Sequence, residues 1–147
     1  MLTQEEADNL IGLVKVLIKQ GPIALPNLGA QAQIRLTDDD TGKTKFMIDM
    51  QRKTLNVSKI TYQTRAMGVR LLRVDIEGPA HPNPDGTEIE CPHIHIYQAG
   101  YELGWAFPLE DHIITDTTDL VKILIDFLKY NHVKNIPLIM VQRGGIV

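Results

Sequence analysis

The stretch QAQIRLTDDDTGKTKFMIDM, residues 31–50, decides the fold class. Apolar side chains occupy every second position in each of its halves: Ala32, Ile34 and Leu36, then Phe46, Ile48 and Met50. This alternation is typical of strands with one buried face, because successive side chains of a strand point to opposite sides. The polar segment 38–43 between the halves contains Gly42 and predicts a turn. We therefore expect an antiparallel hairpin here.

Two more antiparallel hairpins are predicted further along the chain, each with a glycine at its turn. Their strands are residues 59–65 with 69–77 and residues 92–98 with 101–107. Glycine suits such turns because it adopts a positive φ angle without steric cost. The middle of the chain is therefore expected to form a continuous antiparallel sheet.

Helices are expected at both ends of the chain. Residues 3–19 have apolar side chains at helical spacing, and Thr3 with Glu6 forms a capping-box pattern at the start. Residues 117–130 have the same spacing, and residues 115–118 offer several possible N-caps. A helix, then strands, then a helix is the element order of an α+β fold.

The predicted fold is α+β, an antiparallel sheet of five to seven strands with an N-terminal and a C-terminal helix packed on one face. We expect a single domain over residues 1–147. The side chains expected to be buried are Leu10, Val14, Leu17, Ile34, Ile48, Val74, Ile94, Ile96, Leu124 and Phe127.

The composition is that of a soluble globular protein. The chain has 147 residues, of which 44% are apolar and 22% are charged. Cys91 is the single cysteine, so no internal disulfide is expected. No apolar run approaches the roughly 20 residues of a membrane-spanning helix. We expect a reduced, cytoplasmic protein with no membrane attachment, and we predict no cofactor.

Charges of opposite sign occupy different parts of the chain. Residues 43–73 contain eight basic side chains and one acidic side chain, whereas residues 74–119 contain ten acidic side chains and no Lys or Arg. One interpretation is that the two stretches form adjacent strands whose outward charges pair. The other is that the basic stretch attracts phosphate groups.

The strongest local signal for a functional site is the segment Pro92-His93-Ile94-His95-Ile96-Tyr97. On a strand, its two isoleucines would enter the core, and His93, His95 and Tyr97 would share the opposite face. The same alternation in residues 73–77 predicts that Arg73, Asp75 and Glu77 lie together outside the core. If these strands pair, one polar face holds all six side chains.

A third histidine lies on the connection between these two strands. In residues 78–86, Asn83-Pro84-Asp85-Gly86 has the pattern of a type I turn, and flanking prolines stiffen the approach. His81 is therefore expected on a rigid loop at the edge of the polar face. Alternatively, His81 is an exposed side chain on an ordinary hairpin connection.

Three kinds of chemistry fit this set of residues. A metal ion is one, because His-x-His with His81 or Asp75 supplies imidazole and carboxylate ligands. Acid–base catalysis of phosphodiester transfer is another, with one histidine taking a proton, another donating one, and Arg73 or Tyr97 stabilising charge. The third is structural, with His93 and His95 bonded to Asp75 and Glu77 across the sheet.

Other catalytic arrangements have little support. Cys91 precedes a proline in a predicted strand, so we expect an inert thiol rather than a nucleophile. No Gly-rich phosphate loop connects a strand to a helix. Neither predicted helix has a basic face, which argues against nucleic-acid recognition by a helix.

Three segments resemble an uncharacterised family of small bacterial and prophage proteins: residues 73–78, residues 81–86 and the His-x-His strand 92–97. More remotely, a strand with Arg and Asp followed by a His-x-His strand is similar to the small ribonuclease toxins of toxin–antitoxin pairs. That likeness implies Arg73, His81, His93 and His95 as active-site candidates.

Two functional classes stay open at this stage. As an enzyme, the protein would cleave or transfer a phosphodiester in RNA or a nucleotide. His93 and His95 would be the acid–base pair, His81 an alternative member of that pair and Arg73 the group that neutralises charge. The binding groups would be Asp75, Tyr97 and Glu77. As a non-enzyme, it would bind a ligand or a host protein partner through the polar sheet face.

Self-association is a separate expectation. Residues 136–141 are apolar, and Pro137 limits them to an edge strand or a docked extension. Trp105 is expected to point into the core. The sequence therefore predicts a homodimer with residues 136–141 in its interface.

Overall fold

The computed structural model describes residues 1–53 and 59–141. The helices are α1 (Gln4–Gly12) and α2 (Leu120–Tyr130), and a short 3₁₀ helix covers Leu109–Asp111. The strands are β1 (Lys15–Leu17), β2 (Ile23–Leu25), β3 (Gln31–Asp38), β4 (Lys45–Arg52), β5 (Ile60–Ala66), β6 (Val69–Asp75), β7 (His81–Pro82), β8 (Glu88–Ile89), β9 (His93–Ile96), β10 (Ala106–Pro108) and β11 (Ile139–Val141).

A seven-stranded sheet organises the described residues, in the order β1-β3-β4-β5-β6-β9-β10. Every neighbouring pair in this sheet is antiparallel. Strands β7 and β8 form a small hairpin, and β2 pairs with β11 in parallel. The α+β prediction with five to seven antiparallel strands is therefore confirmed.

The N-terminal helix is shorter than expected. Its capping box is present, since the Glu6 amide donates to Thr3 Oγ1 and the Thr3 amide donates to Glu6 Oε1. The helix ends at Gly12, however, and Lys15–Leu17 forms β1 instead of a further turn. Val14 is consequently 46% exposed, and its predicted burial was wrong. The β-branched pair at positions 14 and 16 favours a strand over a helix here.

The C-terminal helix begins at Leu120, with Asp119 as its N-cap rather than one of residues 115–118. It packs on β5, where the Phe127 and Tyr62 rings stack with centroids 5.9 Å apart. The buried Tyr62 hydroxyl also donates to the carbonyl of Leu120. Helix α2 thus covers the apolar face of the central strands.

The buried core matches most of the expected set. The residues confirmed as buried are Leu10, Leu17, Ile34, Ile48, Val74, Ile94, Leu124 and Phe127. Ile96 is half-buried. Trp105 is also half-buried and makes an edge contact with Tyr101, so its predicted position in the core was wrong.

The third predicted hairpin has a shorter ladder than expected. Strand β9 pairs with β10 through residues 93–95 and 106–108, and a single bridge joins Gln98 to Glu102. Between these pairings, Leu103 and Gly104 leave the ladder, and the Leu103 carbonyl faces His95 on β9 whereas the Gly104 carbonyl faces His81 on β7.

The apolar C-terminal segment pairs within its own chain. Strand β11 lies beside β2, with Ile139 opposite Ile23, and Ile139 is buried. Leu138, Met140 and Val141 stay exposed. The homodimer through residues 136–141 remains a prediction. Among the described residues, no helix is long and apolar enough to cross a membrane.

A buried lysine joins the C-terminal ends of both helices. Lys15 is fully buried, and its ammonium donates to the carbonyl of Ile11 in the last turn of α1, to that of Leu13 just after α1, and to that of Asn131 just after α2. These carbonyls belong to helix ends, where partial negative charge accumulates. Burial lowers the pKa of Lys15 to about 8.

We expect Lys15→Met to lower the free energy of unfolding by about 3 kcal/mol at pH 7, because three carbonyl groups lose their donor while the aliphatic packing stays. Urea unfolding followed by circular dichroism measures the loss.

The pH dependence of the free energy of unfolding tests whether the buried Lys15 is charged. An unfolded lysine keeps its pKa near the ordinary 10.5, so between pH 8 and 10 unfolding takes up a proton. Stability of the native protein then rises with pH, and its advantage over Lys15→Met widens by at most about 1.4 kcal/mol per pH unit. A constant difference between pH 7 and 10 would contradict the burial of a charged Lys15.

Candidate functional site

Two rows of polar side chains cross the face of the sheet opposite α2. Cross-strand register aligns Gln33, Asp49, Gln63, Arg73 and His95 in one row. The second row contains Gln31, Gln51, Thr61, Asp75 and His93. The alternation predicted for β6 and β9 therefore brings Arg73, Asp75 and both histidines side by side.

The Asp75 carboxylate is the centre of this cluster. Its Oδ2 atom lies 3.1 Å from His93 Nε2, 3.3 Å from His95 Nε2 and 3.1 Å from Arg73 Nε. Its Oδ1 atom accepts a hydrogen bond from the Thr61 hydroxyl at 3.0 Å. One carboxylate thus links side chains from β5, β6 and β9.

The surroundings of Asp75 keep it ionised. Burial on its own raises the pKa of this carboxyl group. Hydrogen bonds with His93 and His95 and the positive charge of Arg73 outweigh burial and hold the pKa of Asp75 well below its usual range. The cluster therefore contains a permanent negative charge that its neighbours must neutralise.

The backbone fixes the orientation of both histidine rings. Nδ1 of His93 lies 3.1 Å from the Ile89 carbonyl, and Nδ1 of His95 lies 2.8 Å from the Leu103 carbonyl. A carbonyl only accepts, so both Nδ1 atoms carry a proton. Both Nε2 atoms are thereby directed at the Asp75 carboxylate.

The two Nε2 atoms have different partners. His95 Nε2 lies between a donor and an acceptor, 3.0 Å from Arg73 Nη2 and 3.3 Å from Asp75 Oδ2, so it accepts from Arg73 when the ring is neutral and donates to Asp75 when the ring is an imidazolium. His93 faces acceptors at both nitrogens, the Ile89 carbonyl and the Asp75 carboxylate. Both are satisfied when His93 is an imidazolium that donates twice.

His81 completes a group of three imidazole rings. It lies on β7, and its ring centroid is 4.6 Å from that of His95 and 6.2 Å from that of His93. Its Nε2 donates to the Gly104 carbonyl at 2.8 Å. Nδ1 is then the nitrogen of His81 that can exchange a proton with a ligand. His81 is half-buried, so it is more accessible than the other two histidines.

Asn83 anchors the segment that contains His81. Its side-chain amide donates to the Ala106 carbonyl at 3.0 Å, and its Oδ1 accepts from the Ala106 amide at 2.8 Å. Ala106 is also the residue that pairs with His95 in the ladder. The predicted turn is present, with the Gly86 amide donating to the Asn83 carbonyl. Together these bonds hold His81 over His95.

The cluster forms the floor of a cleft of about 990 Å³. Arg73, Asp75, Glu77, His81, His93 and His95 all line it. Lys53 and Lys59 contribute basic groups to the lining, and residues 78–82 form one wall. The two histidines of the floor are less accessible to solvent than the sequence predicted, since His93 and His95 are only 2% and 1% exposed.

Tyr97 does not reach this cleft, contrary to the predicted convergence. It is fully buried, and its hydroxyl donates to the carbonyl of Leu2. The regular ladder of β9 ends at Ile96, so the alternation that would place Tyr97 beside the histidines does not continue. The N-terminal segment covers its ring instead.

Cys91 lies at the rim of the cleft and is unsuited to act as a nucleophile. Partial burial, followed by the negative charges of Asp75, Glu90 and Glu77, raises the pKa of its thiol to about 11. The thiol therefore stays protonated near neutral pH, as the sequence predicted.

Asp75, His93 and His95 could also hold a metal ion, since one ligand atom from each lies within 4.8 Å of the others. Nδ1 bonds to backbone carbonyls are a common second shell of metal-bound histidines. Arg73 opposes this use of the cluster, because its Nη2 atom lies within 3.1 Å of both His95 Nε2 and Asp75 Oδ2. A metal cation would have to displace the guanidinium from this position.

Sequence reasoning missed two residues of the site, Thr61 and Asn83. Thr61 lies opposite Asp75 in the β5–β6 ladder, so a correct register would have identified it. Asn83 was interpreted only as a turn residue. Its bonds to Ala106 depend on how the loop folds back over β10, which no local pattern indicates.

We expect Asp75→Asn to lower the free energy of unfolding by about 3 kcal/mol, because Arg73 and His93 lose the charge that neutralises them. Urea unfolding measures the loss, and ¹⁵N NMR of the histidine rings reports the change at Nε2.

Asp111→Asn, at an exposed position of the 3₁₀ helix, is the matched control and should change stability by less than about 0.5 kcal/mol. Equal effects of the two substitutions would show that Asp75 does not hold the cluster together.

Asn83→Ala should release His81 from its place over His95. Two hydrogen bonds to Ala106 are lost, at a cost of about 2 kcal/mol of stability. The nuclear Overhauser effect between the His81 and His95 ring protons, which the native ring distance allows, should weaken. An undiminished effect in the folded alanine variant would contradict the positioning role of Asn83.

Comparison with known proteins gives one family match. A family model described as a family of unknown function, DUF6978, matches residues 2–133. The match includes every residue that lines the cleft and stops before β11. Neither the curated proteins nor the solved structures contain a match to the chain.

Proposed function

The chain belongs to the family of unknown function DUF6978, and from the chemistry of the cleft we propose that this member cleaves a phosphodiester bond by acid–base catalysis. The proposed catalytic groups are Arg73, His81 and His95, and His93 is proposed as a positioning residue. The observation that carries the proposal is the contact of Arg73 Nη2 with His95 Nε2 at 3.0 Å, with the His81 ring adjacent. A cation and two proton-exchanging rings thus share one ligand-accessible cleft.

Arg73 is suited to bind the phosphate. Its guanidinium has five N–H groups, and three of these serve Asp75 Oδ2 and His95 Nε2. The other two are both on Nη1, so a phosphate is held in the bidentate geometry that guanidinium and phosphate groups favour when it accepts from Nη1 and also takes over the Nη2 hydrogen directed at His95. Asp75 fixes the plane of the guanidinium, so little conformational entropy is lost when the ligand binds.

His95 is proposed as the general base and His81 as the general acid. When the phosphate takes over the Arg73 Nη2 donor, the lone pair of His95 Nε2 becomes free. Nε2 then removes the proton of the attacking hydroxyl, and the hydroxyl oxygen forms a bond to phosphorus. The bond from phosphorus to the leaving oxygen breaks, and the protonated His81 gives its Nδ1 proton to that oxygen. Arg73 balances the negative charge of the transition state.

His93 and Asp75 act on this reaction indirectly. His93 as an imidazolium neutralises part of the Asp75 charge, and Asp75 holds Arg73 in place. Glu77 lies at the mouth of the cleft and is proposed as a binding group rather than a proton donor. An RNA or nucleotide substrate and a cytoplasmic location belong to the same proposal.

We expect His95→Asn and His81→Asn each to reduce phosphodiester cleavage by about 100- to 10,000-fold, the usual contribution of a general acid or base. Arg73→Ala should reduce it to a similar extent. The assay separates the products of dinucleotide and RNA cleavage by chromatography. His132→Asn, at an exposed position away from the cleft, is the matched control and should retain full activity.

Two results would overturn the proposal. Activity that is the same in all four variants would identify a contaminating nuclease. Activity that is abolished by EDTA and restored by Zn²⁺, Fe²⁺ or Ni²⁺ would assign the Asp75, His93 and His95 cluster to a metal ion instead. Metal analysis of native protein beside His93→Ala then shows which residues hold the ion.

A further inference from the structure

The cleft extends well beyond the catalytic cluster, over a surface that contains four glutamines. These are Gln31 and Gln33 on β3, Gln51 on β4 and Gln63 on β5, which we call the amide floor. The amide floor continues the two rows that end at His93 and His95. Any ligand bound at Arg73 that reaches past β6 must therefore lie on these amides.

Hydrogen bonds within the amide floor determine what it offers to a ligand. Gln33 Nε2 donates to Asp49 Oδ1 at 2.9 Å, and Gln63 Nε2 donates to Asp49 Oδ2 at 3.4 Å. Their Oε1 atoms are then the atoms that face a ligand as acceptors. Gln31 and Gln51 are exposed and offer both donors and acceptors. The floor thus presents the mixed donor and acceptor pattern that the edge of a nucleobase requires.

The described lining of the cleft contains few basic groups besides Arg73. Its basic lining residues are Lys53, Lys59 and Arg73, and its acidic ones are Asp49, Asp75 and Glu77. Arg65 pairs with Asp49, and its Nε lies 2.8 Å from Asp49 Oδ2. A polyanion gains affinity from many phosphate contacts, and two lysines beside Arg73 supply few of them.

The dimensions of the cleft also favour a small ligand. Three strand spacings separate β3 from β6, which amounts to about 14 Å. The volume of about 990 Å³ is that of a small-molecule site. Apart from the histidines, the described lining residues include no aromatic side chain, so no platform exists there on which successive bases could stack.

We propose that the cleft binds a small nucleotide with a single phosphodiester, of the dinucleoside monophosphate class, with its phosphate at Arg73 and a base on the amide floor. This inference rests on the proposed function and names its substrate class. A long RNA strand would gain little from its additional phosphates, because the described lining offers them two lysines, Lys53 and Lys59, besides Arg73.

Binding can be measured without cleavage by using 2′-deoxydinucleotides and a deoxyribonucleotide 20-mer in isothermal titration calorimetry. We expect the dinucleotide and the 20-mer to bind with equal affinity per site. The logarithm of the affinity should fall with the logarithm of salt concentration with a slope near about −0.7, which corresponds to one phosphate contact. A slope of about −3 or steeper for the 20-mer, or no binding of the dinucleotide, overturns the inference.

The amide floor is tested with the double variant Gln31→Leu, Gln51→Leu. It should bind the dinucleotide about tenfold more weakly, because it loses hydrogen bonds to the base, and should bind dimethyl phosphate as well as the native protein does. Gln20→Leu, at an exposed position outside the cleft, is the control and should bind both ligands normally. Unchanged dinucleotide affinity in the double variant would contradict a base on this floor.

These measurements separate the two proposals. One outcome is that the dinucleotide binds in a way that depends on the glutamines and Arg73 while ribodinucleotides are not cleaved. That result would reject the catalytic proposal and support the small nucleotide as the ligand. Cleavage of long RNA with a steep salt dependence would keep the catalytic proposal and reject the small ligand.

Discussion

The Asp75 carboxylate is the interaction on which the polar half of the molecule depends. It is the last residue of β6, the strand between β5 and β9, and it binds Thr61, Arg73, His93 and His95 from these three neighbouring strands. The histidines in turn donate to the carbonyl of Ile89 in β8 and to that of Leu103 in the connection between β9 and β10. A single charge therefore orders both the sheet face and the loops that enclose it.

The sequence predicted which side chains form this cluster, because the alternation of side chains between the two faces of a strand can be recognised in a short segment. Alternation alone placed Arg73 and Asp75 on the same side, and it placed His93 and His95 together on the next strand. Only the pairing of the two strands had to be assumed, and the register confirms it by aligning Arg73 with His95 and Asp75 with His93. The helices and the number of strands followed from periodicity in the same way.

The errors come from contacts between distant parts of the chain. Val14 was assigned to a helix because its spacing fits one, whereas hydrogen bonding of β1 to β3 and a bridge from Lys15 to Val133 make the segment extended. The depth of His93 and His95 depends on loops that fold over them. The basic and acidic stretches do form ion pairs, but Arg73 and Asp75 lie on the same strand and Glu102, the partner of Arg70, lies in the turn after β9. These two pairs are therefore not the pairing between adjacent strands that the charge pattern suggested.

The double hydrogen bond between Asn83 and Ala106 has a consequence for the outer edge of the sheet. Strand β10 is the last strand there, and an edge strand normally offers free backbone groups to which another chain can add. Asn83 occupies both the amide and the carbonyl of Ala106, and Pro108 has no amide hydrogen to offer. The Asn83 side chain, which orients His81, thus also makes the hydrogen bonds that a further strand would make with Ala106. It thereby prevents another chain from pairing with this edge of the sheet.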